Sequence, residues 1–134
     1  MTDGRPQRGF DTLFIQIRET LEGQHRAREQ ALRLSREVVQ HSANAIRAVH
    51  RGDPTVAANS LDSAASLLEE IAAALGGHPE FRYAGYVQDA LKEYAEARAT
   101  AALVRGEPLP LPEELGVNAS AYLNGLGEAA QELR

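Results

Sequence analysis

Two pairs of glutamates have the residue type and the spacing for metal chemistry. Glu93 and Glu96 are three residues apart, and Glu128 and Glu132 are four apart, so each pair would share one side of a helix. Like charges at these spacings destabilise a helix by roughly 0.2–0.5 kcal/mol. A divalent cation would offset that repulsion, and carboxylate oxygens are the ligands that Mg²⁺ and Mn²⁺ prefer. The pattern indicates a metal site between two helices, and the alternative is four solvated surface charges.

The segments that contain these pairs have the apolar periodicity of helices. A helix from Tyr86 to Val104 would place Glu93 and Glu96 on the flank of a narrow apolar face. The residues of that face are Ala90, Tyr94, Ala97, Ala101 and Val104. Asn118 is a suitable N-cap for a last helix that runs to the chain end. Its predicted buried residues are Ala119, Tyr122, Leu126, Ala129 and Leu133.

Two more helices are predicted upstream. A long helix runs from Asp11 to about His50, with Gly23 as a point for a kink or break. Gly52–Pro54 suits the end of that helix and the start of a second one. The apolar residues of the second helix repeat at the spacing of an antiparallel partner, namely Ala57, Leu61, Ala64, Leu68, Ile71 and Leu75. Because no strand-like alternation occurs, we predict an all-α antiparallel helical bundle, with one long N-terminal helix and three to four shorter ones.

Length and composition narrow the possible classes. The 134 residues predict one domain over residues 1–134, with residues 1–9 as a flexible N-terminal tail. The chain has no Cys, which excludes disulfides and thiolate metal sites and suits a reducing compartment. No apolar run approaches the roughly 18 residues of a membrane span, and the N-terminus lacks the apolar stretch of a signal peptide. We therefore expect a cytoplasmic protein without a membrane segment.

Charge is distributed unevenly along the chain. The net charge of −5 argues against a generally nucleic-acid-binding surface, but residues 1–51 contain nine Arg and six acidic residues. Residues 52–134 contain five basic and thirteen acidic residues. Arg26, Arg33 and Arg36 belong to a basic strip on the long helix, which is compatible with phosphate contacts. The alternative is a solvated helix face stabilised by pairs four residues apart.

Several short segments resemble the translin/TRAX family in their order along the chain. They are Leu34–Val38, Val49–Arg51, Glu93–Ala97, Leu111–Gly116 and the last segment from Tyr122 to Arg134. The resemblance covers roughly residues 24–134. It implies an all-helical bundle of the translin type that assembles into closed oligomeric shells and binds single-stranded RNA and DNA. It also implies two or three further helices beyond the point where this chain stops.

The acidic residues are similar to those of the TRAX branch of the family. That resemblance implies an RNA-cleaving protein whose Mg²⁺ is held by acidic side chains, and translin itself lacks this acidic set. The family's Glu-Tyr-x-Glu-Ala motif falls on Glu93 and Glu96, and the Asp and Glu of its last motif fall on Glu128 and Glu132. Glu128 thus replaces an Asp with a side chain one methylene longer. A change of that size can displace a ligand or an attacking water.

These observations lead to a ranked set of expectations. The first is a TRAX-like, Mg²⁺- or Mn²⁺-dependent endoribonuclease for single-stranded RNA, active as a homo-oligomer. Its catalytic and metal-binding residues would be Glu93, Glu96, Glu128 and Glu132, and its phosphate-binding residues Arg26, Arg33 and Arg36. The second is a noncatalytic oligomeric module that binds single-stranded RNA or DNA. The third is a helical protein-interaction domain whose carboxylates are merely solvated.

Overall fold

The chain folds entirely into helices over the part that the structure, a computed structural model, describes: residues 5–134, with side chains from residue 9 onward. The elements are α1 (Arg5–Arg51), α2 (Pro54–Ala74), a 3-10 turn (Pro79–Phe81), α3 (Gly85–Arg105), α4 (Pro112–Leu115) and α5 (Ala119–Glu132). No strand occurs over residues 5–134. The prediction of an all-α fold with one long N-terminal helix is confirmed. None of the described helices combines the length and the hydropathy needed to cross a membrane.

The long helix α1 begins earlier than predicted and is uninterrupted. It starts at Arg5 rather than Asp11, and residues 1–4 of the predicted tail lie outside the described residues. It also passes through Gly23 without a break. A glycine inside a helix costs only about 1 kcal/mol relative to alanine, which is small for a helix of 47 residues. The proposed break at Gly23 is therefore wrong.

The connection between α1 and α2 forms as its residue types predict. Gly52 ends α1 with a φ of +77°, in the left-handed region that glycine adopts at little cost. The side chain of Asp53 accepts a hydrogen bond from the backbone N–H of Val56 at 3.2 Å, and Pro54 is the first residue of α2. The short turn makes α1 and α2 antiparallel neighbours. Of the predicted apolar repeat in α2, Leu68 is half-buried and the other five members are buried.

The body of the bundle begins at about residue 24 of α1. The segment between α2 and α3 returns to this point, where the side-chain amide of Gln24 donates a hydrogen bond to Glu80 at 3.3 Å. The part of α1 before Gln24 extends past the body, and its large apolar side chains are exposed. They are Phe10, Leu13, Phe14, Ile15, Ile17 and Leu21. The long helix therefore has a packed part and an exposed part.

Helix α3 is buried on several sides because it contacts α1, α5 and α2. Four of its five predicted core residues are buried, but Val104 is 49% exposed near the end of the helix. The buried set is wider than the predicted narrow face, and it adds Ala95, Glu96, Ala99, Thr100 and Ala102. Small alanine side chains allow neighbouring helices to approach from more than one direction. This closeness places the carboxylate-bearing Glu96 inside the bundle.

Helix α5 runs in the same direction as α3, to which a long connector joins it. The amide of Asn118 donates a hydrogen bond to Gln88 at 2.7 Å, so the start of α5 lies beside the first turn of α3. The same Asn118 accepts a hydrogen bond from the N–H of Ala121 at 2.9 Å, which confirms it as the N-cap. The connector is held in place by Tyr122, whose hydroxyl donates to the carbonyl of Pro110 at 2.9 Å.

The buried face of α5 agrees with the predicted one only in part, and its fully buried residues are small: Ala121, Gly125 and Ala129. Of the predicted core residues, Ala129 is buried, Tyr122 and Leu126 are half-buried, and Ala119 and Leu133 are exposed. A Cβ atom built on Gly125 would lie 2.7 Å from the carbonyl oxygen of Lys92 and 2.9 Å from both the Cβ of Ala95 and the backbone N of Glu96. The two helix backbones thus meet at Gly125. Such close approach selects small residues rather than the largest apolar ones.

Substitution of Gly125 tests this contact. We expect Gly125→Ala to lower the free energy of unfolding by about 1–3 kcal/mol, because the added methyl group overlaps backbone atoms that cannot move aside. The matched control is Gly127→Ala in the same helix, where a Cβ would meet nothing within 4 Å. That control should raise the free energy of unfolding by about 0.5–1 kcal/mol. Urea denaturation of both variants measures the difference, and equal effects would contradict the close contact.

Candidate metal centre

Three carboxylates from two helices come together at the α3–α5 contact. Glu93, Glu96 and Glu128 each offer an oxygen, and these oxygens lie within 4.8 Å of one another. Glu93 and Glu96 are adjacent on α3 because they are three residues apart. Glu128 follows Gly125 by almost one turn of α5, so the backbone contact at Gly125 brings it alongside. The structure thus brings together three of the four predicted glutamates, and their role as metal ligands stays a prediction.

Glu96 is the buried member of this group. Only 6% of its surface is exposed. Burial is the main cause that raises the pKa of Glu96 to about 8, and the hydrogen bond to Glu128 and the negative charge of Glu93 contribute to the same shift. A carboxyl group with this pKa holds a proton at neutral pH unless a cation replaces it. Strongly shifted acids in a concave site are typical of functional centres.

Lys92 supplies a positive charge at the edge of the group. Its Nζ atom lies 3.2 Å from an oxygen of Glu128 and 3.6 Å from an oxygen of Glu93. The hydrogen bond to Glu128 is the main cause of a raised Lys92 pKa, with further contributions from the charges of Glu128, Glu93 and Asp89. Sequence reasoning missed Lys92, because its adjacency to Glu93 in the chain gives no indication that it reaches α5.

Glu132 lies outside the group of three. Its carboxylate is 3.0 Å from Nε2 of His50, at the end of α1. Glu132 still borders the same shallow depression, which Glu96, Glu128, Gln131 and Glu132 line together. Its role as a metal ligand stays a prediction. The link of His50 to the acidic site is a tertiary contact between the end of α1 and the end of α5, which the sequence does not reveal.

The three carboxylates fit a hard divalent cation. Oxygen ligands on opposite sides of Mg²⁺ are about 4.2 Å apart, since each lies 2.0–2.1 Å from the ion. Three ligands of an octahedral ion include at most one such opposite pair, and adjacent ligands are about 2.9 Å apart. The three carboxylates, which lie within 4.8 Å of one another, would therefore have to move towards one another to bind the ion. The depression is open to solvent, which leaves room for the waters that Mg²⁺ retains. Carboxylates with no sulfur or imidazole among them favour Mg²⁺ or Mn²⁺ over softer metals.

The three predicted phosphate-binding arginines are exposed on α1. The side chains of Arg26, Arg33 and Arg36 are all exposed to solvent. The Nη1 atom of Arg33 lies 3.7 Å from a carboxylate oxygen of Glu37, which is one turn further along the helix. An exposed pair of this kind contributes at most about 1 kcal/mol, so it would yield to a phosphate group. Contact of these arginines with nucleic acid remains a prediction.

Comparison with known proteins shows a similarity to a solved structure. No protein-family model matches the chain, and no curated protein matches it. Among solved structures, the chain is similar to the crystal structure of apo-NeC3PO, with a TM-score of 0.70 and 26% sequence identity over 92% of this chain. The chain has a C3PO/translin helical fold. It spans 63% of the length of the C3PO chain.

The C3PO similarity agrees with the resemblance seen in the sequence motifs. C3PO is a complex that contains translin-associated factor X, so the similar fold agrees with the family to which the motifs point. The translin-like fold accounts for the long first helix and for the absence of strands over residues 5–134. The finer assignment to a TRAX-like nuclease rests on the acidic site and belongs to the proposal below.

The raised pKa of Glu96 predicts a pH-dependent stability. The folded chain retains the Glu96 proton up to about pH 8, whereas the unfolded chain loses it near 4.5. The folded state thus binds more protons between these values, so the free energy of unfolding falls as the pH rises from about 4.5 to about 8. Glu96→Gln should remove much of this fall, and the exposed control Glu70→Gln should retain it. Thermal melts at several pH values across this range measure the effect. A change of 1 kcal/mol in the free energy of unfolding shifts the melting temperature by roughly 4 °C.

Proposed function

We propose that this chain is a translin/TRAX-like single-stranded nucleic-acid-binding protein and a Mg²⁺-dependent endoribonuclease that cleaves single-stranded RNA. The observation that carries the proposal is the convergence of Glu93, Glu96 and Glu128, whose oxygens lie within 4.8 Å of one another. They do so in a C3PO/translin fold, at the positions where the family resemblance implies a metal. Carboxylates brought together without an evident structural need indicate a site whose stability has been sacrificed for function.

The residues of the site would have distinct roles. Glu93, Glu96 and Glu128 would hold Mg²⁺ or Mn²⁺, and the bound ion would supply charge stabilisation at the phosphate and a water of lowered pKa. Glu132 would accept the proton of the attacking water as general base. His50 fixes the carboxylate of Glu132 at 3.0 Å and so holds it at the rim of the depression. Lys92 holds the carboxylate of Glu128 in place through its contact at 3.2 Å.

Binding and assembly complete the proposal. Arg26, Arg33 and Arg36 would contact the phosphates of the single strand, because guanidinium groups pair well with phosphate oxygens. C3PO is itself a complex, which supports homo-oligomeric assembly for this chain. A cytoplasmic location is part of the same proposal, and it rests on the absence of Cys.

A cleavage assay tests the catalytic part of the proposal. The double substitution Glu93→Gln and Glu96→Gln should reduce Mg²⁺-dependent cleavage of a labelled single strand by at least about 100-fold, since both changes remove metal ligands. The matched control is Glu69→Gln with Glu70→Gln, two exposed glutamates of α2, which should leave the rate unchanged. Cleavage that persists in the first double variant would remove Glu93 and Glu96 from the mechanism.

The second candidate is a noncatalytic oligomeric module that binds single-stranded RNA or DNA. Lys92 favours it, because an ammonium group within 3.2 Å of Glu128 and 3.6 Å of Glu93 already balances part of the acidic charge. The two candidates share the arginines of α1 and differ in the role of the carboxylates. Salt-sensitive binding without turnover at any concentration of Mg²⁺ or Mn²⁺ would favour the module.

The role of the arginines is tested by the salt dependence of binding. Each phosphate contact to a single strand contributes about 0.7 to the slope of log affinity against log salt. Arg33→Ala and Arg36→Ala should each lower that slope by about this amount, whereas Arg105→Ala, at the far end of α3, should not. Fluorescence anisotropy with a labelled RNA over a salt series gives the slopes. Identical slopes for all variants would contradict a phosphate-binding strip on α1.

A further inference from the structure

The exposed part of α1 presents a row of large apolar side chains that the rest of the described chain leaves open. Each of its five members is at least half exposed: Phe10 at 73%, Leu13 at 53%, Phe14 at 60%, Ile17 at 50% and Leu21 at 59%. The row, called the α1 stripe below, ends where Gln24 meets Glu80 of the body. A contiguous apolar surface of this kind marks a binding interface rather than an ordinary solvent-facing helix.

The spacing within the α1 stripe is that of a coiled-coil seam. Phe10, Phe14, Ile17 and Leu21 follow one another at intervals of four, three and four residues, as the core positions of a heptad repeat do. Leu13 borders one side of this seam. The seam from Phe10 to Leu21 is about 17 Å long at the helical rise of 1.5 Å per residue. The surface is therefore shaped for another helix.

Two opposite charges border the other side of the seam and determine its orientation. Asp11 and Arg18 are seven residues apart, so they occupy the same flank of the helix in successive heptads. The guanidinium of Arg18 lies over the ring of Phe14, 5.8 Å from its centroid, which places the charge directly beside the apolar row. When two copies of such a seam pair antiparallel, the same flank of each helix faces that of its partner.

We propose that the α1 stripe binds the α1 stripe of a second copy of this chain, antiparallel and around a two-fold axis. In this register Phe10 packs over the partner's Leu21, and Phe14 packs over the partner's Ile17. The axis passes between residues 15 and 16, so each apolar layer occurs twice. A symmetric contact of this type closes on itself and yields a dimer rather than an open chain.

The same register satisfies the flanking charges. On this flank Asp11 and the partner's Arg18 are offset by two residues, about 3 Å along the helix axis, a distance that the long Arg side chain spans. The interface therefore contains two equivalent ion pairs. A parallel pairing would put the two copies of this flank on opposite sides of the seam, and these charges would not meet. A membrane surface is the less suitable occupant, because residues 5–22 contain three Arg and three acidic residues and so have no net positive charge to attract anionic lipids.

This interface deepens the homo-oligomeric part of the proposed function by naming the surface that carries it. It rests on none of the acidic residues of the candidate metal centre. Mass measurements therefore test the dimer, and cleavage assays test the nuclease, so either proposal can be wrong without the other.

Charge reversal in the full chain tests the register. Sedimentation analysis across micromolar concentrations should show self-association of the unmodified chain. Asp11→Arg and Arg18→Asp should each raise the dissociation constant by about tenfold, because each substitution replaces two attractive contacts with repulsive ones. The double variant, with both reversals, should return to within about twofold of the unmodified chain, since the ion pairs are restored with opposite polarity.

Apolar substitutions test the seam itself. Phe14→Asp should abolish the association, and the matched control Leu123→Asp should leave it unchanged, because Leu123 is 65% exposed on α5, away from the stripe. Circular dichroism recorded on the same samples confirms that the helical body is retained. A monomer at every concentration of the unmodified chain would overturn the proposal. The proposal would also be overturned if the unmodified chain dimerises but the double charge reversal does not restore the affinity that each single reversal lowers.

Discussion

The acidic site depends on one backbone contact between α3 and α5. At Gly125 the two helices approach so closely that a single added carbon would lie 2.7 Å from the carbonyl oxygen of Lys92. A glycine within a helix costs roughly 0.5–1 kcal/mol relative to alanine, and here that cost permits the approach. The contact carries Glu128 to the side of Glu93 and buries Glu96 at the same time. Without it, the carboxylates of the two helices would lie apart in solvent.

The electrostatics of the site follow from that closeness. Three carboxyl groups and one ammonium group share a small region in which Glu96 is almost fully removed from water. Burial and its neighbours raise the pKa of Glu96 to about 8, so the folded chain accommodates the group by protonation. A divalent cation would neutralise the same oxygens by a different route. Either a proton or a divalent cation can therefore neutralise the buried carboxyl group, and the ammonium group of Lys92 balances part of the remaining negative charge.

Helix α1 has two parts, one packed in the bundle and one exposed. From about residue 24 onward it packs against α2 and α3 and forms one wall of the bundle. Its last turn also reaches the acidic site, because His50 contacts Glu132. The earlier part has no role in the core of a single chain, yet it carries five large exposed side chains in one row. The candidate metal centre and the proposed dimer surface therefore lie at opposite ends of α1.

The features that the sequence by itself determined are those whose cause is local. The Gly52–Pro54 turn, the Asn118 cap and the repeat of α2 depend on backbone conformation, one nearby hydrogen bond or one apolar period. Each of these can be read from a few neighbouring residues. The all-α fold follows from the same signals. The pairing of Glu93 with Glu96 is equally local, because three residues along a helix always bring side chains together.

Only the tertiary structure decided which helix faces meet and how closely. The periodicity of α5 predicted the burial of Ala129 but not that of Ala121 and Gly125, because the close contact with α3 favours small side chains over the apolar period. The burial of Glu96 and the contact of Lys92 with Glu128 depend on a partner helix more than 30 residues away in sequence. No local pattern encodes that distance. The carboxylates were thus visible in the sequence, but the site that they form exists only after two helices have packed.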